Sequence, residues 1–151
     1  MSLFSSLSVS ASGMAAQRSR TDVVVENLAN AETTRTPDGG PYRRKDVVFR
    51  TVDAGSAFSS LLSKEMDVFS RRNHLQTGVE VAETLVDQRQ PERRYLPGHP
   101  DADPDGYVSF PNVNPAEEMV DLMSASRGFQ ANVSAMTAVK DMLNRSIDLL
   151  K

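Results

Sequence analysis

The pattern of apolar positions divides the chain into two helical ends and a middle of different character. Near the N-terminus, two rows of mostly apolar residues each repeat every seventh position. The first row is Leu7, Met14, Thr21 and Leu28, and the second is Phe4, Ala11, Arg18 and Val25. A seven-residue repeat is typical of a helix that packs along one narrow stripe. The pattern predicts an N-terminal helix within residues 1–32.

The same spacing returns more strongly from Pro115 onward. One row is Leu122, Phe129, Met136, Leu143 and Leu150, and the adjoining row contains Met119, Val133 and Ile147. Asn114 is a suitable N-cap, Pro115 suits a first helical turn, and Glu117 and Glu118 favour the positive end of the helix dipole. The sequence therefore predicts a C-terminal helix within residues 112–151, roughly 50 Å long at 1.5 Å per residue.

The middle, residues 33–111, has the composition of a small β insertion with long loops. Pro, Asp and Gly predict a turn at 33–41, and a Pro-rich loop is predicted at 97–104. The predicted β segments are 42–52, 79–86 and 107–110. Residues 57–64 are compatible with a short helix or a polar loop. The predicted fold class is mainly α with a small β insertion, in which the long terminal helices pack as a coiled-coil-like pair.

The two stripes bury little apolar surface as an isolated pair. They cover about two positions in seven and are interrupted by Arg18, Thr21, Ser126 and Lys140. We therefore expect helices from other copies to complete the packing. Our hypothesis is coupled folding and assembly, since ordering on association costs entropy. Leu122, Phe129, Met136 and Leu143 would dock against Leu7, Met14, Val25 and Leu28 and against neighbouring copies.

Charge and composition exclude several partners. The 151 residues suit one ordinary domain, and 17 Lys and Arg against 20 Asp and Glu leave a net charge of −3. This balance disfavours nucleic acid and anionic membranes as partners. Cysteine is absent, which excludes disulfides and thiolate metal sites. Neither a cleaved signal nor a run of roughly 20 apolar residues is present, so we expect no membrane insertion.

The best candidate for ion chemistry is the acidic turn at 101–106. Asp101, Asp103 and Asp105 before Gly106 match the start of a calcium-binding EF-hand loop. However, Asn112 stands where such a loop needs a bidentate Glu, and prolines flank the segment. A solvated acidic turn is the favoured interpretation, and a secreted calcium-dependent binding module is the alternative.

No enzyme signature is found. His74 and His99 lack a second ligand at metal-binding spacing. No G-x-S-x-G motif occurs, and Gly39-Gly40 lacks the context of a phosphate loop. The basic residues at 43–45 and 93–94 are more typical of a solvated face or an acidic protein interface than of a nucleic-acid site. We expect no catalytic residue, metal or cofactor.

Two segments resemble the terminal signatures of flagellar rod and hook proteins. The N-terminal segment comprises residues 14–17 and 23–33, and the core of its motif is Asn27-Leu-Ala-Asn30 followed by Thr33. At the C-terminus they are residues 112–119 and 127–132. In the middle, residues 33–49 and 97–115 resemble the proximal-rod type, the FlgC family. The resemblance covers nearly the whole chain, and residues 51–76 carry no diagnostic feature.

The resemblance implies a structural subunit of the flagellar rod, the axial drive shaft that spans the periplasm. It further implies export by the flagellar type III apparatus without a cleaved signal, and assembly with copies of itself and other rod proteins. Another rod or hook member is the alternative within the family. Asn27, Asn30 and Asn132 are expected to hydrogen-bond with backbone or partner helices, since amides both donate and accept. The residues expected to pack in assembly are Leu7, Met14, Val25, Asn27, Leu28, Asn30, Leu122, Phe129, Asn132, Met136, Leu143 and Ile147.

Overall fold

The structure, a computed structural model, describes residues 3–53 and 77–149. Its elements are α1 (Leu3–Ala29), β1 (Lys45–Asp53), β2 (Thr77–Val86), β3 (Glu92–Tyr95), β4 (Tyr107–Phe110) and α2 (Pro115–Asp148). The predicted class, mainly α with a small β insertion between long terminal helices, is confirmed. Leu150, His74 and the ambiguous segment 57–64 lie outside the described residues.

Helix α2 begins at Pro115, as the capping signal predicts. The backbone N–H of Ala116 donates to Asn114 Oδ1 at 3.1 Å, and Asn114 Nδ2 donates to Glu117 Oε1 at 3.1 Å. The first bond satisfies a backbone N–H that the first turn of a helix leaves without an intrahelical partner, and the second holds the Asn114 side chain in place. The whole helix, from Pro115 to Asp148, contains 34 residues.

The strands form two two-stranded sheets, one of β1 and β2 and one of β3 and β4. β3 and β4 are antiparallel, with Glu92 opposite Phe110 and Tyr95 opposite Tyr107. β4 and the strands of the first sheet lie where the sequence predicts β structure. β3 is not predicted, because its sequence Glu-Arg-Arg-Tyr has no apolar alternation and all four residues are exposed.

Gly106 is the last residue of the turn that leads into β4. Its φ is +80°, a left-handed conformation that L side chains rarely adopt. Leu96 N donates to Gly106 O at 2.9 Å. A Cβ at this position would lie 2.8 Å from Tyr95 Cε2. Both the turn and the packing of Tyr95 therefore require glycine here.

The chain divides into two compact units, and both terminal helices contribute to each. The first comprises Met1–Arg18, Phe49–Ala82 and Arg127–Lys151, and the second comprises Ser19–Val48 and Glu83–Ser126. Among the described residues, the buried apolar side chains are Ala16 and Val139 in the first unit and Val24, Tyr42, Val108 and Ala125 in the second. The described core is therefore built mostly from small side chains.

Candidate functional site

In the first unit, the terminal helices run antiparallel and approach each other at glycines. A Cβ at Gly13 would lie 3.0 Å from the amide atoms of Asn132, and a Cβ at Gly128 would lie 3.1 Å from Gln17 Cδ. Asn132 is held in place because its Nδ2 donates to Gly128 O at 2.9 Å. The seam between the helices is thus made by small and amide-bearing residues.

In the second unit, the helices meet through buried polar side chains. Asn27 on α1 and Glu118 on α2 are 0% and 1% exposed. Asn27 Nδ2 donates to Glu118 Oε2 at 3.2 Å, and Arg20 pairs with Asp121 at 3.0 Å on the same two helices. The helices are antiparallel here too, because Asn27, later in α1 than Arg20, contacts Glu118, which is earlier in α2 than Asp121.

The Asn27 amide forms every hydrogen bond that its four sites allow. Besides Glu118, Nδ2 donates to Lys45 O at 2.8 Å. Oδ1 accepts from Lys45 N at 2.9 Å and from Tyr42 OH at 2.9 Å. The side chain therefore pairs with both main-chain groups of Lys45, as a neighbouring strand would. Asn27 anchors the first residue of β1 to α1.

Glu118 carries a second connection to β1 through Arg44. Arg44 Nε donates to Glu118 Oε1 at 2.6 Å, and the guanidinium also lies within 4 Å of Asp46 and Asp121. Burial lowers the pKa of Arg44, but the hydrogen bond to Glu118 and the surrounding carboxylates outweigh it, so this pKa is raised overall. Arg44 therefore stays charged and compensates the buried Glu118 side chain.

Tyr42 is the remaining buried partner of Asn27. Burial, together with the charges of Glu26 and Glu118, raises the pKa of Tyr42 to about 12, although Arg44 acts in the opposite direction. The hydroxyl is therefore protonated at neutral pH and donates to Asn27. We call Asn27, Tyr42, Arg44, Lys45 and Glu118 the polar cluster.

The predicted packing residues occupy three environments. Asn27 is buried; Leu7, Met14, Leu28, Asn30, Leu122, Asn132, Met136 and Leu143 are half-buried; and Val25, Phe129 and Ile147 are exposed. The residues of α2 at the seams follow a different row of the same repeat, which consists of Glu118, Ala125, Asn132 and Val139. The predicted large apolar residues of α2 lie beside this row.

Each of the three asparagines donates its side-chain amide to a backbone carbonyl, Asn27 to Lys45 O, Asn30 to Glu26 O and Asn132 to Gly128 O. Asn30 Nδ2 donates to Glu26 O at 2.9 Å, and Asn30 Oδ1 accepts from the hydroxyl of Thr33 at 3.1 Å. Asn30 thus closes the C-terminal turn of α1. Sequence reasoning missed Tyr42 and Arg44 as partners of Asn27 and Glu118, since no local pattern reports such distant pairs.

Two carboxylates of the acidic turn face protein donors. Asp101 Oδ2 accepts from the Thr34 hydroxyl at 2.8 Å, and Asp103 pairs with Arg93 at 3.1 Å. Within residues 3–53 and 77–149, no group of three or more histidine or carboxylate side chains could hold a metal ion. The geometry gives no support to the calcium-dependent alternative.

No helix in the described part of the chain combines the length and the apolar character that crossing a membrane requires. Large apolar side chains are nevertheless exposed on both helices. In the first unit these include Phe4, Phe129, Met142 and Ile147, and in the second they include Val25, Met119, Val120 and Met123.

Comparison with known families matches both ends of the chain. Residues 7–35 match the family described as flagella basal body rod protein. Residues 105–149 match the family described as flagellar basal body rod FlgEFG protein C-terminal. The two matches cover most of α1 and all of α2.

Full-length relatives extend the similarity through the β insertion. The flagellar basal-body rod protein FlgC of Bacillus subtilis is 44% identical over 100% of both chains. The FlgC proteins of Borreliella burgdorferi and Salmonella typhimurium are 40% and 39% identical, over 100% and 99% of this chain and 99% and 98% of their own. The chain belongs to the FlgC family of flagellar basal-body rod proteins.

Proposed function

We propose that this chain is a structural subunit of the proximal rod in the bacterial flagellar basal body, with no enzymatic role. It assembles with copies of itself and with other rod proteins through its terminal helices. Its membership of the FlgC family supports this role. The structural observation that carries it is the exposure of large apolar residues on both helices beside seams that use small and polar residues.

The distribution of apolar surface favours packing between subunits. Within the first unit, Phe129 is 39% exposed and Ile147 is 54% exposed, although both belong to the heptad rows of α2. Burial of apolar surface contributes roughly 25 cal/mol per Å², so covering such side chains stabilises a contact between chains. The predicted packing residues thus have two roles in this proposal, with the half-buried members supporting the fold and the exposed members contacting neighbours.

We further propose that the subunit passes through the flagellar type III export apparatus and becomes fully ordered on assembly. The small side chains of the described core support this step, because a modest core gives modest resistance to unfolding. Hydrogen exchange on the purified monomer tests it. Protection across residues 11–28 is expected to be weaker in the monomer than in the assembled rod, and monomer protection as strong as that in the rod would contradict coupled folding.

The role itself is tested by electron microscopy of basal bodies from a strain that lacks this gene. Basal bodies that retain the membrane ring but lack the rod are expected. Complete rods in that strain would refute the proposal.

The role of the exposed apolar residues of the helices is tested by replacing them in the gene carried by the complemented deletion strain. Phe129→Asn and Ile147→Asn should reduce rod assembly while leaving the stability of the purified monomer nearly unchanged. Leu85→Asn on β2 is the matched control, because Leu85 is similarly exposed but lies outside the helices. Equal rod yields from all three variants would show that the helix surfaces do not mediate assembly.

A further inference from the structure

Within the part of the chain that the structure describes, the β3 edge of the β3–β4 ribbon is open, and the β4 edge is open at Ser109 because Tyr107 O already accepts from Asp103 N. Leu96 N donates to Gly106 O, and these residues continue the register of the ribbon. Hydrogen-bonded pairs alternate in an antiparallel ribbon, so the next bonded pair is Arg94 with Val108. The main-chain groups that point away from the partner strand therefore belong to Arg93 and Tyr95 on β3 and to Tyr107 and Ser109 on β4.

The two edges differ in charge. β3 carries Arg93, Arg94 and Glu92, a net charge of +1 in which Arg94 pairs with Glu92 at 3.0 Å, and every one of its residues is exposed. The edge of β4 borders an open groove of about 320 Å³ that Ser109 lines together with Asp101, Asp103 and Arg35. The loop before β4 lies along this edge, since Asp103 N donates to Tyr107 O at 2.8 Å. One edge is thus basic, and the other lies beside two carboxylates and one guanidinium.

We propose that β3 of one copy adds to the β4 edge of the next copy and continues the antiparallel sheet between subunits. This inference rests on the proposed function, because it names a contact between neighbouring copies in the rod. An exposed edge strand is a ready template for pairing with another chain. The occupant of the β4 edge is therefore a second copy of this protein.

The charges select this pairing over the two symmetric ones. Pairing two β3 edges would bring together two strands that each carry a net charge of +1, and pairing two β4 edges would bring the acidic loops together. Only unlike edges are complementary. Arg93 and Asp103 already pair at 3.1 Å within one chain while both are more than half exposed, so the same two groups can exchange partners between copies.

The contact has the symmetry and the side chains of an assembly interface. Pairing of two different surfaces is heterologous, and such contacts propagate into open helical arrays. The Arg93 guanidinium lies 5.0 Å from the centroid of the Tyr107 ring, and Tyr95 packs edge-on against Tyr107 at 5.4 Å. Exposed tyrosine and arginine held in fixed positions are typical of residues that dominate binding energy.

The geometry specifies which residues should be cross-linked. Because Ser109 directs its main-chain groups outward, it can pair only with Arg93 or Tyr95 of the next copy. Hydrogen-bonded antiparallel partners have Cα atoms about 5.5 Å apart, which lies within the usual range for disulfides. The protein contains no cysteine, so engineered thiols have no competitor.

The experiment mixes full-length chains that carry Ser109→Cys with chains that carry Tyr95→Cys or Arg93→Cys. The mixture is oxidised both at high concentration in solution and in basal bodies from a strain that expresses both chains. We expect a mixed disulfide dimer at several-fold higher yield than with Ser124→Cys in place of Ser109→Cys. Ser124 is exposed on α2 and belongs to neither strand.

Charge reversal then distinguishes edge pairing from random collision. Adding Arg93→Glu to the Tyr95→Cys chain, or Asp103→Arg to the Ser109→Cys chain, should lower the yield. Adding both substitutions, one to each chain, should restore the yield of mixed disulfide. The new Glu and the new Arg are on different chains, so they can pair only between copies.

No excess over the control in solution and in basal bodies would overturn the inference. If the chain is present in the rods without the cross-link, this contact is wrong while the proposed function stands. If the chain is absent from basal bodies, the proposed function fails, and the cross-link in solution still decides the contact.

Discussion

The side chain of Asn27 pairs with both main-chain groups of Lys45, accepting from its N–H at 2.9 Å and donating to its carbonyl at 2.8 Å. A residue of a helix thereby takes the place of a neighbouring strand at the start of β1. The same amide bonds to Glu118 on α2 and to Tyr42. One buried side chain links both terminal helices to the β insertion within the second unit.

Asn27→Ala should lower the free energy of unfolding by about 2–4 kcal/mol. The change leaves buried groups of Lys45, Tyr42 and Glu118 without partners, and each unsatisfied buried group costs about 1–3 kcal/mol, partly offset by relaxation. Chemical denaturation of the purified protein measures the effect.

Asn30→Ala is the matched control for Asn27→Ala. Asn30 directly follows α1, is half-buried, and its side chain bonds to Glu26 O of that helix and to Thr33. A loss of about 1 kcal/mol or less is expected. Similar losses of unfolding free energy in the two variants would show that the polar cluster stabilises the protein no more than an ordinary helix cap does.

Glu118→Gln should destabilise the protein by about 2 kcal/mol. The variant keeps the shape of the side chain but removes the charge that faces Arg44 at 2.6 Å. Breaking a buried ion pair costs about 3–5 kcal/mol, and the remaining carboxylates near Arg44 reduce this loss. Denaturation in low and high salt measures it, and little salt dependence is expected because Glu118 is buried.

Glu117→Gln tests whether burial is the cause. Glu117 is the preceding residue of α2 and is exposed. Its replacement should cost about 0.5 kcal/mol or less. An effect of Glu117→Gln as large as that of Glu118→Gln would contradict the assignment of Glu118 to a buried ion pair.

Local signals in the sequence predict the ends and classes of several elements. The start of α2 at Pro115 is predictable because Asn114, Pro115 and Glu117 act on their own backbone neighbourhood. The turn after α1 and the strand β4 are predicted for the same reason, as residue types there favour one local conformation. β3 is missed because pairing with β4, and not its own composition, makes it a strand.

The seams between the helices could not be predicted from apolar periodicity. That method finds rows of large apolar residues, whereas in the first unit the helices are in close contact at Gly13 and Gly128. The seam row of α2 also repeats every seventh residue, but its polar members Glu118 and Asn132 conceal it. Their partners are distant in sequence, with Asn27 and Glu118 separated by 91 residues.

Raising the pH from 10 to 12 should remove a stabilising contribution of Tyr42. The pKa of this tyrosine is about 10 in the unfolded chain and about 12 in the fold. The folded state holds the proton more tightly, so the contribution is complete below pH 10 and is lost as pH rises through about 12. Two pH units correspond to at most roughly 2.7 kcal/mol.

Denaturation midpoints between pH 9 and 12 measure this contribution. Tyr42→Phe should lower stability at pH 8 and reduce its further decline above pH 10. Tyr95→Phe is the control, because Tyr95 is exposed and lies outside the polar cluster. A wild-type slope in Tyr42→Phe would exclude Tyr42 as the source of the alkaline decline.

Gly13→Ala should destabilise the protein by about 1 kcal/mol, although alanine is the better helix former. In an exposed helix the change would stabilise by about 1 kcal/mol. Here the new Cβ would lie 3.0 Å from both amide atoms of Asn132. Overpacking of this kind costs about 1–3 kcal/mol, which exceeds the gain in propensity.

The sign should reverse when Asn132 is shortened. Asn132→Ala removes the amide that the new methyl group meets, so Gly13→Ala should stabilise that background by up to about 1 kcal/mol. Chemical denaturation of the wild type, both single variants and the double variant gives the coupling energy directly. A coupling near zero would mean that the helices adjust without cost, and that close approach at Gly13 does not determine how α1 and α2 pack in the first unit.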